Sequence, residues 1–213
     1  MKIHADALLF DNDGTLVSSL ESVNRCWTRW ATEYGITADD FARIELHGRP
    51  AVEIAADLLP ADIVPEALAR IEQLEVEDVP GGVVALPGTL ALLDALPAER
   101  WAVVTSATRR LAEARLEEVG IRPKTMIAAD DITRGKPDPE PYLLAARELG
   151  VDPARCVVLE DAPAGLQAGR AAGMTTVALT TTHRVHELDA DLVVEDLSAL
   201  SVLVTDHGVE ISA

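Results

Sequence analysis

Two carboxylates, Asp11 and Asp13, follow a short apolar run, Ala7–Phe10, and come directly before Gly14. A short unbroken apolar run is typical of a buried strand in a parallel sheet. Gly14 permits a sharp turn, so both acids are predicted at the C-terminal edge of the sheet, where open α/β sheets bind ligands. One carboxylate could attack a substrate while the other handles protons, and the pair could share a hard cation.

Three other interpretations of this segment compete with a reactive pair. A hairpin turn is disfavoured because a helical pattern, not a returning strand, follows Leu16. An EF-hand loop would need an acidic residue in place of Leu9 and a glutamate in place of Leu20. A solvated loop with chance acids stays open on this segment alone.

Polar residues also follow three later predicted strands. Thr105 and Ser106 offer hydroxyls to an anion, although such residues are also ordinary helix caps. Lys136, between Gly135 and Pro137, suits a phosphoryl oxygen or a carboxylate, or is a surface turn residue. Glu160 and Asp161 could share a cation with Asp11, although acids at a helix N-terminus are also favourable for structural reasons alone.

The elements that position these residues change character along the chain. From Ser18 or Ser19 to about Val79 the apolar spacing predicts helices, and from Pro87 onward it predicts alternating helices and strands. Such alternation indicates right-handed crossovers and a doubly wound parallel α/β sheet, with an all-helical insert between about 16 and 81. The predicted helices are 18–34, 51–59, 65–77, 90–96, 109–119, 139–149 and 164–172, and the predicted strands are 7–10, 101–104, 126–128, 156–159, 176–179 and, last, 192–194.

Composition narrows the classes of function. The 213 residues, 48% of them hydrophobic, can bury a substantial core, and the formal net charge of −18 argues against nucleic acid or an anionic membrane surface as a partner. No apolar stretch approaches the ~20 residues of a membrane span. Cys26 and Cys156 are expected to be buried free thiols, and the protein is expected in the cytoplasm.

The order Asp-x-Asp-Gly-Thr, Thr-Ser, Gly-Lys-Pro-Asp and Glu-Asp resembles the haloacid dehalogenase superfamily over nearly the whole chain. The resemblance is nearest to bacterial sugar-phosphate phosphatases. It implies a Rossmann-like core from residues 1–15 and 82–213, with a helical cap from residues 16–81 inserted after the first strand. The residue between the acids is usually apolar in the family but is Asn12 here, and Ser18 stands where relatives often carry Asp.

The resemblance implies a mechanism for these residues. Asp11 would attack phosphorus and form an aspartyl-phosphate, and Asp13 would protonate the leaving oxygen and then deprotonate water. Thr105, Ser106 and Lys136 would hold the phosphoryl oxygens. The Asp11 carboxylate, the Asp13 backbone carbonyl and the Glu160 and Asp161 carboxylates would hold Mg²⁺.

Other chemistries of the family fit less well. Dehalogenases lack the second acid, which is Asp13 here, and phosphonatases use a cap lysine, whereas no lysine stands between residues 3 and 123. A hexose-phosphate mutase, resembling β-phosphoglucomutase, uses the same core machinery and stays open as an alternative. A catalytically silent binding protein is disfavoured because the acids are all present.

Substrate choice is expected to come from the cap. His47 and Arg49 are the candidates for binding a substrate hydroxyl or second anionic group, or they are solvated loop residues. Trp27 and Trp30, at helical spacing, are predicted to be cap core. The predicted function is Mg²⁺-dependent hydrolysis of small phosphate monoesters, of sugars or polyols, by a monomer or weak homo-oligomer. His183 and His186 have no functional assignment.

Overall fold

A computed structural model describes residues 2–41, 43–44 and 50–213 of the chain. The strands in chain order are β1 (Lys2–Ala5), β2 (Ala7–Phe10), β3 (Val17–Ser18), β4 (Val84–Ala85), β5 (Trp101–Val104), β6 (Met126–Ile127), β7 (Cys156–Glu160), β8 (Thr175–Leu179), β9 (Leu192–Val194), β10 (Ser201–Thr205) and β11 (Gly208–Ser212). The helices are α1 (Leu20–Glu33), α2 (Ala38–Phe41), α3 (Ala51–Leu58), α4 (Val64–Asp78), α5 (Thr89–Asp94), α6 (Arg109–Glu118), α7 (Glu140–Leu149) and α8 (Pro163–Ala171).

The main sheet is parallel, with the strand order β6-β5-β2-β7-β8-β9. Strand β2 lies at its centre, where Leu8 pairs with Trp101 of β5 and with Val157 of β7. The predicted doubly wound α/β fold is confirmed. Because β2, β5 and β7 are neighbours and run the same way, the polar residues that follow them meet at one edge.

Alternate residues of the central strands enter two separate cores. Phe10 and Val103 pack on the face covered by α5 and α6, whereas Leu9 and Ala102 pack on the face covered by α7. The second face is rich in alanine. Small side chains let a helix approach the strands closely, which brings the fully buried Tyr142 of α7 against the sheet.

Helices α1–α4, here called the helical insert (residues 20–78), have a core of their own. Trp27 and Trp30 pack edge to face with ring centroids 5.0 Å apart, and the Trp30 Nε1–H donates to the Ala67 carbonyl at 2.8 Å. Both indoles are buried, as predicted. The chain enters and leaves through the β3–β4 pair, where Val17 faces Ala85. Domain boundaries at residues 16 and 81 stay a prediction.

The expectation that 192–194 is the last strand was wrong. Strands β10 and β11 follow it and form an antiparallel sheet with β1, in the order β1-β11-β10. The periodicity is weak because β10 is largely exposed, and the pairing joins the two ends of the chain, with Lys2 opposite Ser212. Local pattern does not reveal such a partner.

Two further expectations concern thiols and membrane segments. Cys26 and Cys156 are free and buried, as predicted. Among the residues that the structure describes, no helix has both the length and the apolar character needed to cross a membrane.

Candidate active site

The carboxylates of Asp11, Glu160 and Asp161 meet at the C-terminal edge of the parallel sheet. Each offers an oxygen that lies within 4.8 Å of the others, and all three residues are buried. The Asp11 N–H donates to the Leu159 carbonyl at 3.0 Å, so the ladder between β2 and β7 continues to the nucleophile candidate. The sheet therefore sets the spacing of these acids.

Lys136 lies among these carboxylates, although its segment follows a different strand. Its Nζ donates to Asp11 Oδ1 at 2.6 Å, to Glu160 Oε1 at 2.7 Å and to the Val104 carbonyl at 2.9 Å. Burial opposes the ammonium charge, but the Asp11 and Glu160 carboxylates outweigh it and raise the pKa of Lys136 well above its ordinary value. The surface-turn interpretation of Lys136 is excluded.

Backbone groups and glycines shape the Glu160–Asp161 turn. Glu160 Oε2 accepts from the N–H groups of Asp161 at 3.0 Å and Ala162 at 2.9 Å. A Cβ at Gly165 would overlap the Glu160 carboxylate, and a Cβ at Gly14 would overlap that of Asp161. Gly14 also has a φ of +92°, which a side chain would strain.

Several supporting residues were missed by the sequence analysis. Tyr142 donates its hydroxyl to Glu160 Oε1 at 3.2 Å, and its ring centroid lies 5.2 Å from Lys136 Nζ. The Thr15 hydroxyl donates to Asp161 Oδ1 at 3.3 Å, and the Thr182 hydroxyl donates to Asp161 Oδ2. Thr182 carried a usable signal, since it follows β8 as the other site residues follow their strands. Tyr142, in the first turn of α7, carried none.

Asp13 lies beside this cluster in a separate network. Its Oδ1 accepts from the Ser19 hydroxyl at 2.6 Å and from Arg115 Nη1 at 2.9 Å, and its Oδ2 accepts from Asn12 Nδ2 at 3.2 Å. Arg115 Nη2 also reaches Glu75 Oε1 of α4 at 3.1 Å. Neither Arg115 nor Glu75 was singled out by the sequence analysis.

Burial and neighbouring charge have opposite effects on the pKa of Glu75 and on that of Arg115. Burial raises the pKa of the Glu75 carboxyl, against the lowering effect of the Arg115 guanidinium. Burial also disfavours the charged guanidinium, but the carboxylates of Asp13 and Glu75 outweigh it, and the pKa of Arg115 is raised. The three side chains, of which Arg115 and Glu75 are buried and Asp13 is partly buried, therefore form a charge network that joins α6, α4 and the loop after β2.

Thr105 and Ser106 lie at the same sheet edge, after β5. Thr105 is buried, and its Oγ1 accepts from the Ala107 N–H at 3.1 Å. The N-cap of α6 is Thr108, whose hydroxyl oxygen accepts from the Leu111 N–H. Neither Thr105 nor Ser106 is thus the plain N-cap of that helix.

A cavity of about 400 Å³ lies between this edge and the helical insert. Its floor includes Asp11, Thr105 and Lys136, and its insert side includes the apolar Trp27 and Leu68. The shape allows a small molecule to reach the acids. The substrate-binding candidates His47 and Arg49 lie outside the described residues.

The acidic cluster fits a hard divalent cation. Burial raises the pKa of the Asp11 carboxyl, and the Glu160 and Asp161 charges add to that effect, against the lowering effect of Lys136. Three carboxylates with one ammonium leave an excess of negative charge in a buried site. A divalent cation with oxygen ligands, such as Mg²⁺, would balance it.

Comparison with known proteins gives the family. Residues 5–173 match the model of the haloacid dehalogenase-like hydrolases. The chain is 39% identical over 210 residues to hexitol phosphatase A of Escherichia coli, covering 94% of this chain and 95% of that protein. It is 39% identical over 199 residues to validoxylamine A 7'-phosphate phosphatase of Streptomyces hygroscopicus, covering 89% and 93%. The fold matches β-phosphoglucomutase of Clostridium difficile with a TM-score of 0.78 at 23% identity, covering 91% and 92%.

The chain belongs to the haloacid dehalogenase-like hydrolases. The predicted enzyme class, a phosphoric monoester hydrolase, is confirmed by this family and by the phosphatases among its relatives. The likeness to the mutase, at 23% identity, concerns the fold alone. Catalytic and binding roles of individual residues stay predictions.

Proposed function

We propose that this chain hydrolyses monophosphate esters of small sugars or polyols through an aspartyl-phosphate on Asp11. The observation that carries the proposal is the buried cluster of Asp11, Lys136, Glu160 and Asp161 at the floor of a cavity of about 400 Å³. The relative named hexitol phosphatase supports a polyhydroxylated substrate.

In the proposed first step, Asp11 attacks phosphorus and Asp13 gives its proton to the departing ester oxygen. In the second step, Asp13 takes a proton from the water that attacks the aspartyl-phosphate. Dividing hydrolysis in this way replaces one difficult step with two easier ones. The assignment places the acid–base group next to Arg115 and Ser19, on the side of the cavity that faces the helical insert.

Thr105, Ser106 and Lys136 hold the phosphoryl oxygens in this scheme. Asp11, Glu160 and Asp161, with the Asp13 backbone carbonyl, would hold Mg²⁺, which would screen the repulsion between the anionic nucleophile and the anionic ester. The Lys136 ammonium already bridges Asp11 and Glu160, so it can turn toward a phosphoryl oxygen without leaving the cluster.

Substrate specificity, location and assembly complete the proposal. His47 and Arg49 are proposed to recognise the part of the substrate beyond the phosphate. The protein is proposed to act in the cytoplasm as a monomer or weak homo-oligomer, without nucleic acid or membrane partners.

The test is phosphate release from glycerol 1-phosphate, sorbitol 6-phosphate, fructose 1-phosphate and glucose 6-phosphate, with Mg²⁺ and with a chelator. We expect release that requires the metal and that Asp11→Asn abolishes. The matched control is Asp94→Asn. It makes the same substitution at an aspartate on α5 that does not line the cavity.

Two outcomes would contradict the proposal. Glucose 1-phosphate is assayed beside the panel, and its conversion into glucose 6-phosphate without phosphate release would identify a mutase. Absence of turnover across the panel, with wild-type protein that is folded, would favour a binding protein.

A further inference from the structure

Arg115 lies at the centre of the charge network that includes Asp13. It lies on α6 with its side chain only 4% exposed, between a carboxylate of the core and a carboxylate of the helical insert. A buried guanidinium needs compensating charge, and here Asp13 and Glu75 supply it. The arrangement joins two regions of the chain that no strand pairing connects.

The geometry of the guanidinium couples its two partners. Nη1 contacts Asp13 Oδ1 at 2.9 Å, and Nη2 contacts Glu75 Oε1 at 3.1 Å. Nε has no hydrogen-bond partner among the described residues. Since the group is planar and rigid, its orientation follows from these two carboxylates, and displacement of one changes the contact with the other.

A second contact reaches the same oxygen from Ser19, the residue just before the helical insert. Ser19, the N-cap residue of α1, donates its hydroxyl to Asp13 Oδ1 at 2.6 Å. Asp13 is therefore held by the start of α1 directly and by α4 through Arg115. The contact through Arg115 depends on how α4 lies against α6.

Helix α4 is docked on α6 by another polar contact that does not involve Asp13. The Thr108 hydroxyl donates to Glu72 Oε1 at 2.6 Å. This pair joins the same two helices as the Glu75–Arg115 pair, one turn away on α4. It therefore provides a control that separates docking of α4 from placement of Asp13.

We propose that Arg115 is a positioning residue for Asp13, and that the helical insert sets its placement through Glu75. The inference rests on the proposed role of Asp13 as the acid in ester cleavage. With α4 docked, Arg115 is shared between two carboxylates and Asp13 is held at the cavity. With α4 displaced, Arg115 loses Glu75 and pairs with Asp13 alone, away from the orientation that serves the leaving oxygen.

The proposal predicts an effect that depends on the leaving group. When Asp11 bonds to phosphorus and the ester P–O bond breaks, an alkoxide needs the proton of Asp13, whereas 4-nitrophenolate is a stable anion and leaves without it. The second-order rate constant kcat/KM reports this first step. A misplaced Asp13 therefore lowers kcat/KM for an alkyl phosphate much more than for 4-nitrophenyl phosphate.

The experiment measures kcat/KM for the best alkyl phosphate of the panel and for 4-nitrophenyl phosphate. We expect Arg115→Lys to lower the alkyl value by about 30- to 100-fold and the aryl value by less than about 5-fold, because an ammonium does not reproduce the planar fork. We expect Glu75→Gln to lower the ratio of the alkyl kcat/KM to the aryl kcat/KM by about 3-fold. Asp13→Asn removes the acid itself and should lower this ratio the most.

The double variant tests whether Glu75 acts on Asp13 through Arg115, because the effects of the two substitutions are then not additive. Arg115→Lys removes the rigid fork that links Glu75 to Asp13, so we expect the double variant to keep the ratio of Arg115→Lys within about 2-fold. Glu72→Gln weakens the contact with Thr108 and is expected to leave the ratio unchanged. Glu75→Gln is nearly isosteric and keeps a hydrogen-bond acceptor, so it covers the case in which Arg115→Lys fails to fold.

The outcomes separate this inference from the proposed function. An equal loss for both substrates in Arg115→Lys, or a full effect of Glu75→Gln in its background, would overturn the positioning role alone. No hydrolysis of any ester by the wild type, or an unchanged ratio in Asp13→Asn, would overturn the proposed chemistry instead.

Discussion

The two sides of the cavity hold their charges in different ways. On the sheet side, Asp11 and Glu160 stand at the ends of neighbouring parallel strands, and Lys136 bridges them at 2.6 and 2.7 Å. On the insert side, Asp13, Arg115 and Glu75 come from a loop and two helices. The two acids of the first group are positioned by backbone ladders, whereas the second group is held by side chains that meet between packed helices.

In the proposed reaction, this difference suits the two sides to different tasks. A sheet edge cannot shift without breaking strand pairing, so it suits groups that bind the phosphate, which is common to all substrates. A helix–helix contact can shift with modest loss, so it suits groups that respond to the varying part of the substrate. In the proposed reaction, the groups that bind the phosphate are held rigidly, whereas the groups that serve the leaving oxygen can shift.

Loss of the sheet-side cation has the largest expected effect. Lys136→Met leaves buried carboxylates without their ammonium partner, and we expect about 3–5 kcal/mol lower free energy of unfolding and no phosphatase activity. Denaturant unfolding measures the change. Lys124→Met, at an exposed pair with Glu99, is the control and should change stability far less. Equal effects of the two variants would contradict the view of Lys136 as the central charge of a buried cluster.

The next largest expected effect is the stabilisation of the folded protein by added Mg²⁺, which should depend on the sheet side of the cavity alone. We expect Mg²⁺ at about 100 times its dissociation constant to stabilise the wild type by about 2.7 kcal/mol, a rise in Tm of about 5–10 °C for a chain of this size. Asp161→Asn should lose this shift.

The Glu75→Gln variant should keep the same Mg²⁺-induced rise, because Glu75 lies on the other side of the cavity. Thermal unfolding with and without Mg²⁺ measures all three proteins. A reduced shift in Glu75→Gln would show that the two sides are not independent.

A smaller effect is expected at Thr182, which donates its hydroxyl to the Asp161 carboxylate. Thr182→Val removes this hydrogen bond, and we expect about 10-fold weaker Mg²⁺ binding, since residues that orient a ligand set its affinity. Calorimetric titration gives the value. Thr180→Val, at a half-buried threonine of the same loop whose hydroxyl donates to the Glu195 carbonyl and not to Asp161, should bind Mg²⁺ as the wild type does.

The smallest effect is expected at the thiols of Cys26 and Cys156, which belong to neither charge group of the cavity. Burial is the main cause that raises the pKa of Cys26 to about 11 and that of Cys156 to about 12. The reactive thiolate is therefore scarce at pH 8. We expect no measurable alkylation of the folded protein by iodoacetamide, and two thiols per chain after denaturation. Rapid labelling of the native protein would contradict this expectation.

Much of the fold could be predicted because its signals are local. The strand at Trp101–Val104 was predicted at its observed bounds, and α6 and α7 were predicted within one residue. The antiparallel sheet of β1, β10 and β11 was missed because β1 and β10 are largely exposed, and because its strands come from opposite ends of the chain.

The residues of the candidate site show the same distinction between local signals and contacts made only in the folded chain. Asp11 and Glu160 were found because a strand end is visible in the sequence, and Lys136 was found because it lies between Gly135 and Pro137 in the segment after a predicted strand. Arg115 and Glu75 were not found, since each is one charged residue among several on a helix. Only packing shows that these two are buried and face each other.

The sequence by itself determined which acids stand at the strand ends, because apolar run length and turn residues act over a few positions of backbone. The tertiary structure decided which charges meet: Lys136 with Asp11, 125 residues apart, and Arg115 with Asp13 and Glu75. Those pairings depend on how helices pack against the sheet, and packing sums many contacts that no single segment encodes.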